Sequence, residues 1–419
     1  MRTLKQIGIV FLLCLFGSNA FAECRYDFVP GLSVVGTYDD NIFLGPANEI
    51  SDFTTALSPL ASFNVQCATT GVSLSYQPAF VFYRRYTEYD TIRHSAGLNA
   101  FYQAGAYTRV ELQDNFYRTE ESREPLETIY ATRRDRNPYF RNTCVVKLSH
   151  QFGPKDNLFA GYDDNHLENK DPLVEDVRIQ TPFFGLAYWF DVKNGLDLNV
   201  RYSISDYDRS PDFKQNNESL RLTHLLTESS SISLDYNHTG IDYKPGRDDY
   251  EVHGGNASYS TTVWQYYRLG AGIGYYAHRP EQGDTTSGVT YNADFGRGGI
   301  EFGRATLAFG LQNGYRQEFA DAENSGFVNF WSSNGSITYL VTEDLTASAG
   351  LSHRRDEFTE QAGRKDTVWT GSAGIVYNTG RWLALSINGQ HMERDSSIST
   401  EDYDDNRVIV AISVRDRMR

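Results

Sequence analysis

The sequence predicts an all-β protein, a transmembrane antiparallel up-and-down β-barrel of the outer-membrane type with about 18–20 strands. Three observations support this prediction. Segments of about ten residues alternate apolar and polar side chains from Leu32 to Val414, and the gaps between them alternate in length. Aromatic residues are abundant, with 28 Tyr and 25 Phe among 419 residues. A soluble β-solenoid or propeller is the alternative, which the strand lengths and the gap asymmetry disfavour.

The alternation is clearest in the middle of the chain. Leu198, Val200 and Tyr202 share one face of a predicted strand. Asn199 and Arg201 share the other face. Because successive side chains on a strand point to opposite sides, one face of the sheet is apolar and the other is polar. This pattern is typical of a closed sheet with lipid outside and water inside.

The first strands are separated by gaps that alternate between long and short. They are predicted at Leu32–Tyr38, Leu57–Cys67, Val72–Tyr83, His94–Gln103, Arg109–Phe116 and Asn142–Phe152. The longest loop follows the fifth strand, at residues 117–140. Outer-membrane barrels have short turns at one end and long loops at the other, so this asymmetry favours a barrel.

The same order of gaps continues to the end of the chain. Short turns are predicted at Asp191–Asn194, Thr227–Ser229, Val263–Gln265, Gly303–Arg304, Val341–Asp344 and Tyr377–Gly380. Long loops are predicted near Asn169–Val177, Asp206–Gln215, Ile241–Asp249, His278–Thr286, Glu318–Ser325, Glu357–Lys365 and Arg394–Asn406. These positions define twenty candidate strands, of which the first and the fourteenth (Val289–Ile300) have the weakest patterns.

Residues 1–22 are predicted to be a secretory signal peptide, and residues 23–419 a single barrel domain. Arg2 and Lys5 precede the apolar run Ile7–Phe16, and Ala20-Phe21-Ala22 forms a cleavage site. The apolar run is too short to span a bilayer, so insertion into a membrane would have to use strands. The formal net charge of −15 argues against nucleic acid as a partner.

The cysteines suggest one disulfide. Cys14 lies in the predicted signal peptide, whereas Cys24 and Cys67 should lie together at the short-turn rim. An exported chain meets an oxidising compartment, where this pair could close. The alternative is three unpaired thiols, and Cys144, inside a strand, is expected to be free.

No catalytic or metal-binding motif is apparent, so no enzyme activity, cofactor or metal is predicted. The nine His are scattered along the sequence. The acidic clusters beginning at Asp39, Asp163 and Asp404 offer oxygen ligands but lack the spacing of a calcium loop. They are expected to be solvated acids of the loops or rim.

Nine residues fall on predicted inward faces and are candidates for lining the pore. They are Lys147, Arg201, Arg221, Asp235, Asn237, Tyr276, Gln312, Asn388 and Gln390. Tyr276 could stack on sugar rings, and the amides could bond hydroxyl groups. The alternative for each residue is a structural role in the wall.

The loop after the fifth strand is locally basic, with four arginines that are candidates for a constriction or for polymer contact. They are Arg123, Arg133, Arg134 and Arg136. In an acidic protein, this cation density could attract an anionic polymer or narrow the lumen. The alternative is that these side chains bridge lipopolysaccharide phosphates or pair with neighbouring Glu residues.

The segment Pro30–Leu44, with the sequence PGLSVVGTYDDNIFL, resembles the first strand and loop of an outer-membrane β-barrel porin family associated with exopolysaccharide biosynthesis and export. The resemblance implies an outer-membrane exit pore for a secreted polysaccharide, without an enzymatic step. The implied partners are outer-membrane lipid and lipopolysaccharide, a polysaccharide and periplasmic export machinery. Two alternatives are a general diffusion porin for small solutes and a non-conducting barrel for matrix binding or adhesion.

Overall fold

The computed structural model describes residues 24–121, 136–171, 174–244, 247–263, 267–302, 304–320, 323–359, 363–380 and 382–415. The predicted signal peptide, Arg123, Arg133 and Arg134 lie outside these ranges. The strands are β1 (Arg25–Asp39), β2 (Asp52–Gln66), β3 (Thr70–Tyr83), β4 (Thr91–Gln103), β5 (Thr108–Thr119), β6 (Tyr139–Gln151), β7 (Asn157–Asn169), β8 (Val177–Trp189), β9 (Asn194–Tyr207), β10 (Phe213–Thr227), β11 (Ser230–Tyr243), β12 (Tyr250–Val263), β13 (Tyr267–Pro280), β14 (Thr286–Phe302), β15 (Ala305–Ala320), β16 (Glu323–Leu340), β17 (Leu345–Phe358), β18 (Lys365–Thr379), β19 (Leu383–Ser396) and β20 (Tyr403–Arg415). Short 3₁₀ turns lie at Thr87–Tyr89 and Ser399–Glu401. In the described ranges, no helix is long and apolar enough to cross a membrane.

The strands form one closed antiparallel barrel. Each strand pairs with the next along the chain, and β1 also pairs with β20 from Gly31↔Arg415 to Asp39↔Arg407. This last pairing joins the two ends of the sheet, so the backbone hydrogen bonds run around the whole cylinder. The predicted fold is confirmed, and the described residues contain twenty strands.

The connections divide the barrel into a short-turn end and a long-loop end. Residues 67–69 join β2 to β3 at the short-turn end, whereas residues 40–51 join β1 to β2 at the long-loop end. One predicted loop is wrong. Residues 318–320 continue β15 and residues 323–325 belong to β16, and these strands pair as far as Ala320↔Glu323, whereas residues 321–322 lie outside the described ranges. Polar sequence suggested a loop there, but backbone pairing continues beyond the apolar part of these strands.

The exterior of the barrel carries a continuous apolar surface. Leu234, Ile273 and Leu351 lie on separate strands and are 55%, 64% and 56% exposed. Many apolar and aromatic side chains on the same face are similarly exposed. A soluble monomer rarely exposes so large an apolar surface, so this face fits lipid rather than water.

A disulfide links the short-turn ends of β1 and β2. The register pairs Arg25 with Gln66, which places Cys24 beside Cys67. Their Cα atoms lie 4.2 Å apart, and their sulfur atoms are bonded. Cys144 lies on β6 and is a free thiol.

Candidate functional site

The lumen wall between β9 and β16 bounds a polar cavity of about 840 Å³. Its amide-bearing residues include Asn199, Asn217, Asn237, Asn256, Asn292 and Gln312. These side chains occupy alternate strand positions, so the period-two pattern that makes the exterior apolar also places them inside. Each amide offers both hydrogen-bond donors and acceptors. The cavity can therefore bind uncharged, hydroxyl-rich molecules.

The charged residues beside this cavity are paired within the wall. Arg221 donates a hydrogen bond through Nε to Asp235, which also accepts one from Asn256 at 3.4 Å. Arg201 lies near the cavity, with Nη2 3.4 Å from Asp163 Oδ2. Pairing leaves little net charge at these positions, so hydrogen bonding by the amides dominates this part of the wall.

A second lumen cavity of about 460 Å³ lies against β2–β6, toward the short-turn end. Lys147 lines it, and its Nζ lies 4.6 Å from the ring centre of Phe159. Arg109 and Glu111 also line it and form an ion pair at 2.9 Å. Asn388 and Gln390 project inward from β19, where the register sets them opposite Gly374 and Ser372.

An aromatic layer narrows the lumen at the long-loop end. It consists of Tyr139, Leu167, Val177, Tyr207, Phe213, Ile241, Tyr243, Tyr250, Val252, Tyr276 and Phe327, all buried and packed together. Most of these residues are inward-facing positions near the long-loop ends of β6–β13. Ring centres 6.0 Å apart for Tyr207 and Phe213, and 5.9 Å apart for Phe213 and Tyr243, show that neighbouring strands contribute to one packed surface.

The outer part of the β15–β16 hairpin folds over the lumen. The β14–β15 pairing begins at Tyr291↔Asn313, whereas β15 and β16 remain paired far beyond that point. Phe327 of β16 stacks on His278 of β13, with ring centres 4.2 Å apart. Two strands separate β13 from β16 around the wall, and neighbouring strands are about 4.8 Å apart, so this contact requires the hairpin to bend inward. We call residues 314–320 and 323–329 the folded-in hairpin.

Tyr276 anchors the folded-in hairpin. Its hydroxyl donates a hydrogen bond to Asn329 Oδ1 at 2.5 Å, and its ring centre lies 4.8 Å from that of Tyr315. A Cβ atom at Gly288 would lie only 2.8 Å from the Tyr276 ring, so glycine makes room for it. Tyr276 points inward as the sequence predicts, but it is only 7% exposed. It packs beneath the hairpin instead of presenting its ring to the open lumen.

The loop between β1 and β2 also folds inward. Ile42 and Leu44 are buried, and Leu44 packs against Val368, Met392 and Tyr403 on inward faces of β18–β20. The side chain of Asn41 holds this loop, donating hydrogen bonds to the carbonyl oxygens of Gly45 at 2.9 Å and Asp404 at 2.8 Å. Consecutive apolar residues at 42–44, in an otherwise polar loop, were the sequence signal for this burial.

A belt of buried and partly buried ion pairs lies at the narrowed long-loop end of the barrel, which we call the mouth. It comprises Arg93, Glu120, Glu121, Arg136, Asp39, Arg407, Asp405, Arg316, Arg354, Asp356, Arg364, Asp366 and Arg394. Within this belt, Arg394 Nη2 lies 2.8 Å from Asp366 Oδ2, and both side chains are fully buried. Charges removed from water need such partners, so these pairs fix the strands and loops that bear them.

Arg136 belongs to this ion-pair belt. It donates a hydrogen bond to the carbonyl oxygen of Ile42 at 2.8 Å and pairs with Glu121 at 3.1 Å. It thus links the β5–β6 loop to the inward-folded β1–β2 loop. Asp39 and Asp405 lie close together, but Arg407 bridges them at 2.9 and 3.0 Å and supplies the compensating positive charge.

The closed sheet, the apolar exterior and the polar lumen define a β-barrel of the outer-membrane type. Residues 271–416 match the model of a family described as "Putative beta-barrel porin 2". This match covers β14–β20 and most of β13.

Several solved structures resemble the chain in fold. OccK3 (OpdO) of Pseudomonas aeruginosa is 14% identical, with a TM-score of 0.46 over 93% of this chain and 96% of that one. OccK2 (OpdF) of the same organism, solved in complex with glucuronate, is 14% identical, with a TM-score of 0.46 over 93% and 98%. OccAB4 of Acinetobacter baumannii is 10% identical, with a TM-score of 0.45 over 94% and 98%. No curated protein matches the chain in sequence.

Proposed function

We propose that this protein is an outer-membrane channel for carbohydrate, and that it serves as an exit for a secreted exopolysaccharide. The amide-lined cavity of about 840 Å³ carries the proposal. Sugar hydroxyl groups exchange hydrogen bonds with water for equivalent ones with amides, so a sugar can enter without a large desolvation cost. Many weak sites in succession favour movement over trapping.

The export direction rests on the resemblance of segment 30–44 to porins of exopolysaccharide loci. That segment ends in the loop that folds into the mouth and contacts β18–β20. In outer-membrane barrels, the long loops lie outside the cell, so the narrowed mouth would face the surroundings. A polymer arriving from the periplasm would meet the wide polar lumen first and the mouth last.

Passage of small solutes by diffusion is the second candidate function. The aromatic layer, the folded-in hairpin and the ion-pair belt are packed closely, which favours small cargo unless the mouth opens. The two candidate functions predict different effects of gene deletion on the amount of polysaccharide at the cell surface and in the periplasm. Loss of an exit pore lowers surface polysaccharide and causes it to accumulate in the periplasm, whereas loss of a diffusion porin leaves both unchanged.

Sugar passage itself can be tested in liposomes that contain the purified barrel. Asn256→Leu and Asn292→Leu keep side-chain size while removing hydrogen-bonding groups from the wall. We expect both variants to slow entry of neutral oligosaccharides more than they lower potassium chloride conductance. Asn216→Leu, at an exposed position on the exterior face of β10, is the control. Equal losses of sugar and salt flux in the wall variants would refute carbohydrate recognition by the amides.

A further inference from the structure

We propose that the exterior of the barrel carries a binding site for a zinc-type divalent metal ion, formed by His238, His253 and Glu251. Each residue offers one ligand atom, and the three atoms lie within 4.8 Å of one another. The site is on the lipid side of the wall, away from the lumen. The site is therefore separate from the cavities of the lumen.

Strand register assembles this site from two neighbouring strands. His238 of β11 lies directly opposite His253 of β12, and Glu251 lies opposite Gly240. Residues two apart on a strand share a face, so Glu251 and His253 project together beside His238. The two imidazole rings are stacked, with centres 4.7 Å apart and planes inclined by 28°.

Both histidines have a hydrogen-bond partner on Nδ1. His238 Nδ1 lies 3.3 Å from Glu218 Oε2, and His253 Nδ1 lies 2.9 Å from the hydroxyl oxygen of Tyr236. Metal-binding histidines characteristically hydrogen-bond through the nitrogen that does not bind the metal, which fixes the ring and its tautomer. Here, these contacts leave each Nε2 for the metal.

The separation of two of the ligand atoms suits a small tetrahedral ion. His253 Nε2 lies 3.6 Å from Glu251 Oε2. Ligands bound at about 2.0–2.2 Å in a tetrahedron are about 3.3–3.6 Å from one another. Two imidazoles and one carboxylate select zinc-type ions over calcium and magnesium, which prefer oxygen ligands. Three protein ligands leave a fourth position for water.

The site lies at the edge of the lipid-facing band. Ile232, Leu234 and Tyr236 face outward along β11 and are exposed, and His238 is the next residue on that face. An aromatic residue at this boundary is typical of the membrane interface. A metal ion could therefore reach the site from the aqueous side, where it would join β11 to β12.

The test uses the purified, tag-free barrel in detergent after treatment with a chelator. Zinc titration followed by calorimetry should reveal a site that Ala replacement of both His238 and His253 removes. Cobalt should give the visible absorption of a tetrahedral complex in the wild type. Glu218→Gln should weaken zinc binding by about 10- to 100-fold, because Glu218 orients His238. Glu251→Gln should weaken it at least as much.

His391→Ala is the matched control. His391 also lies on the exterior, near the long-loop end of β19, with Nδ1 3.4 Å from Asp404 Oδ1. This substitution should leave zinc affinity unchanged. The proposal is wrong if wild-type protein does not bind zinc, if the double histidine variant binds it equally well, or if millimolar magnesium displaces it. Should the double variant fail to fold, the cobalt spectrum of the Glu251→Gln variant decides: an unchanged spectrum refutes the site, and a weakened one supports it.

Discussion

The side chain of Asn313 occupies the point where β15 leaves β14. Its Oδ1 accepts a hydrogen bond from the backbone N–H of Tyr291 at 2.7 Å, and its Nδ2 donates one to the carbonyl oxygen of Val289 at 3.3 Å. The amide thus satisfies strand groups of β14 where pairing with β15 stops. This relationship explains how the folded-in hairpin can leave the wall while the backbone N–H of Tyr291 and the carbonyl oxygen of Val289 keep hydrogen-bond partners.

Removing this amide should loosen the hairpin. We expect Asn313→Ala to lower the free energy of unfolding by about 1–3 kcal/mol, because it leaves two backbone groups without their partner. It should also increase opening events in single-channel recordings. Asn378→Ala is the control at an exposed position, and unfolding in denaturant measures both variants. Equal stability of the two variants would contradict the role assigned to Asn313.

Phe327 should determine how far the mouth is closed. It is fully buried beneath Tyr250, His278 and Tyr315. We expect Phe327→Ala to increase single-channel conductance because it removes the ring that joins the hairpin to β13. The matched control is Phe309→Ala on the lipid face, which should leave conductance unchanged. Unaltered conductance in the Phe327 variant would show that the hairpin does not limit flow.

The pair of Arg394 and Asp366 should be among the most sensitive contacts in the barrel. Asp366→Asn leaves a buried guanidinium without its full countercharge, so we expect a loss of about 3–5 kcal/mol in unfolding free energy. Arg221→Gln, which breaks a pair at an exposed lumen position, should cost no more than about 1 kcal/mol. Urea unfolding monitored by tryptophan fluorescence compares the two. A similar cost for both would contradict the structural role of the ion-pair belt.

Acid should weaken the ion pairs that Glu121 forms in the belt. Burial alone would raise the pKa of Glu121, but the guanidinium groups of Arg93, Arg136 and Arg407 lower it well below its ordinary value. A carboxylate with a lowered pKa in the folded state stabilises the fold above its unfolded pKa, near 4.3, and loses that contribution as the pH falls toward its folded pKa. Stability should thus be steady from about pH 7 to 5 and fall below about pH 4.

Glu121→Gln isolates this contribution. The variant should be less stable than the wild type at neutral pH, and the gap should narrow as the pH falls below 4. Denaturant unfolding at successive pH values measures the difference. A gap that is constant across the acid range would mean that the charge of Glu121 does not stabilise the mouth.

The sequence alone was sufficient to predict the barrel fold. Alternation between positions such as Leu198 and Asn199 is a local property, since neighbouring strand residues point to opposite faces whatever the rest of the chain does. The inward positions of Arg221, Asp235, Asn237 and Gln312 followed from the same period. The strand count followed from counting these segments and the turns between them.

Only the tertiary structure shows which segments narrow the mouth and which side chains contact one another across strands. The burial of Leu44 beneath Met392, and the contact of Phe327 with His278, depend on backbone bends that no local period encodes. The pairing of His238 with His253 depends on register, and a slip of one residue would place them on opposite faces. A strand's alternation fixes the face of each side chain, whereas its neighbours are fixed only when distant segments pair and pack.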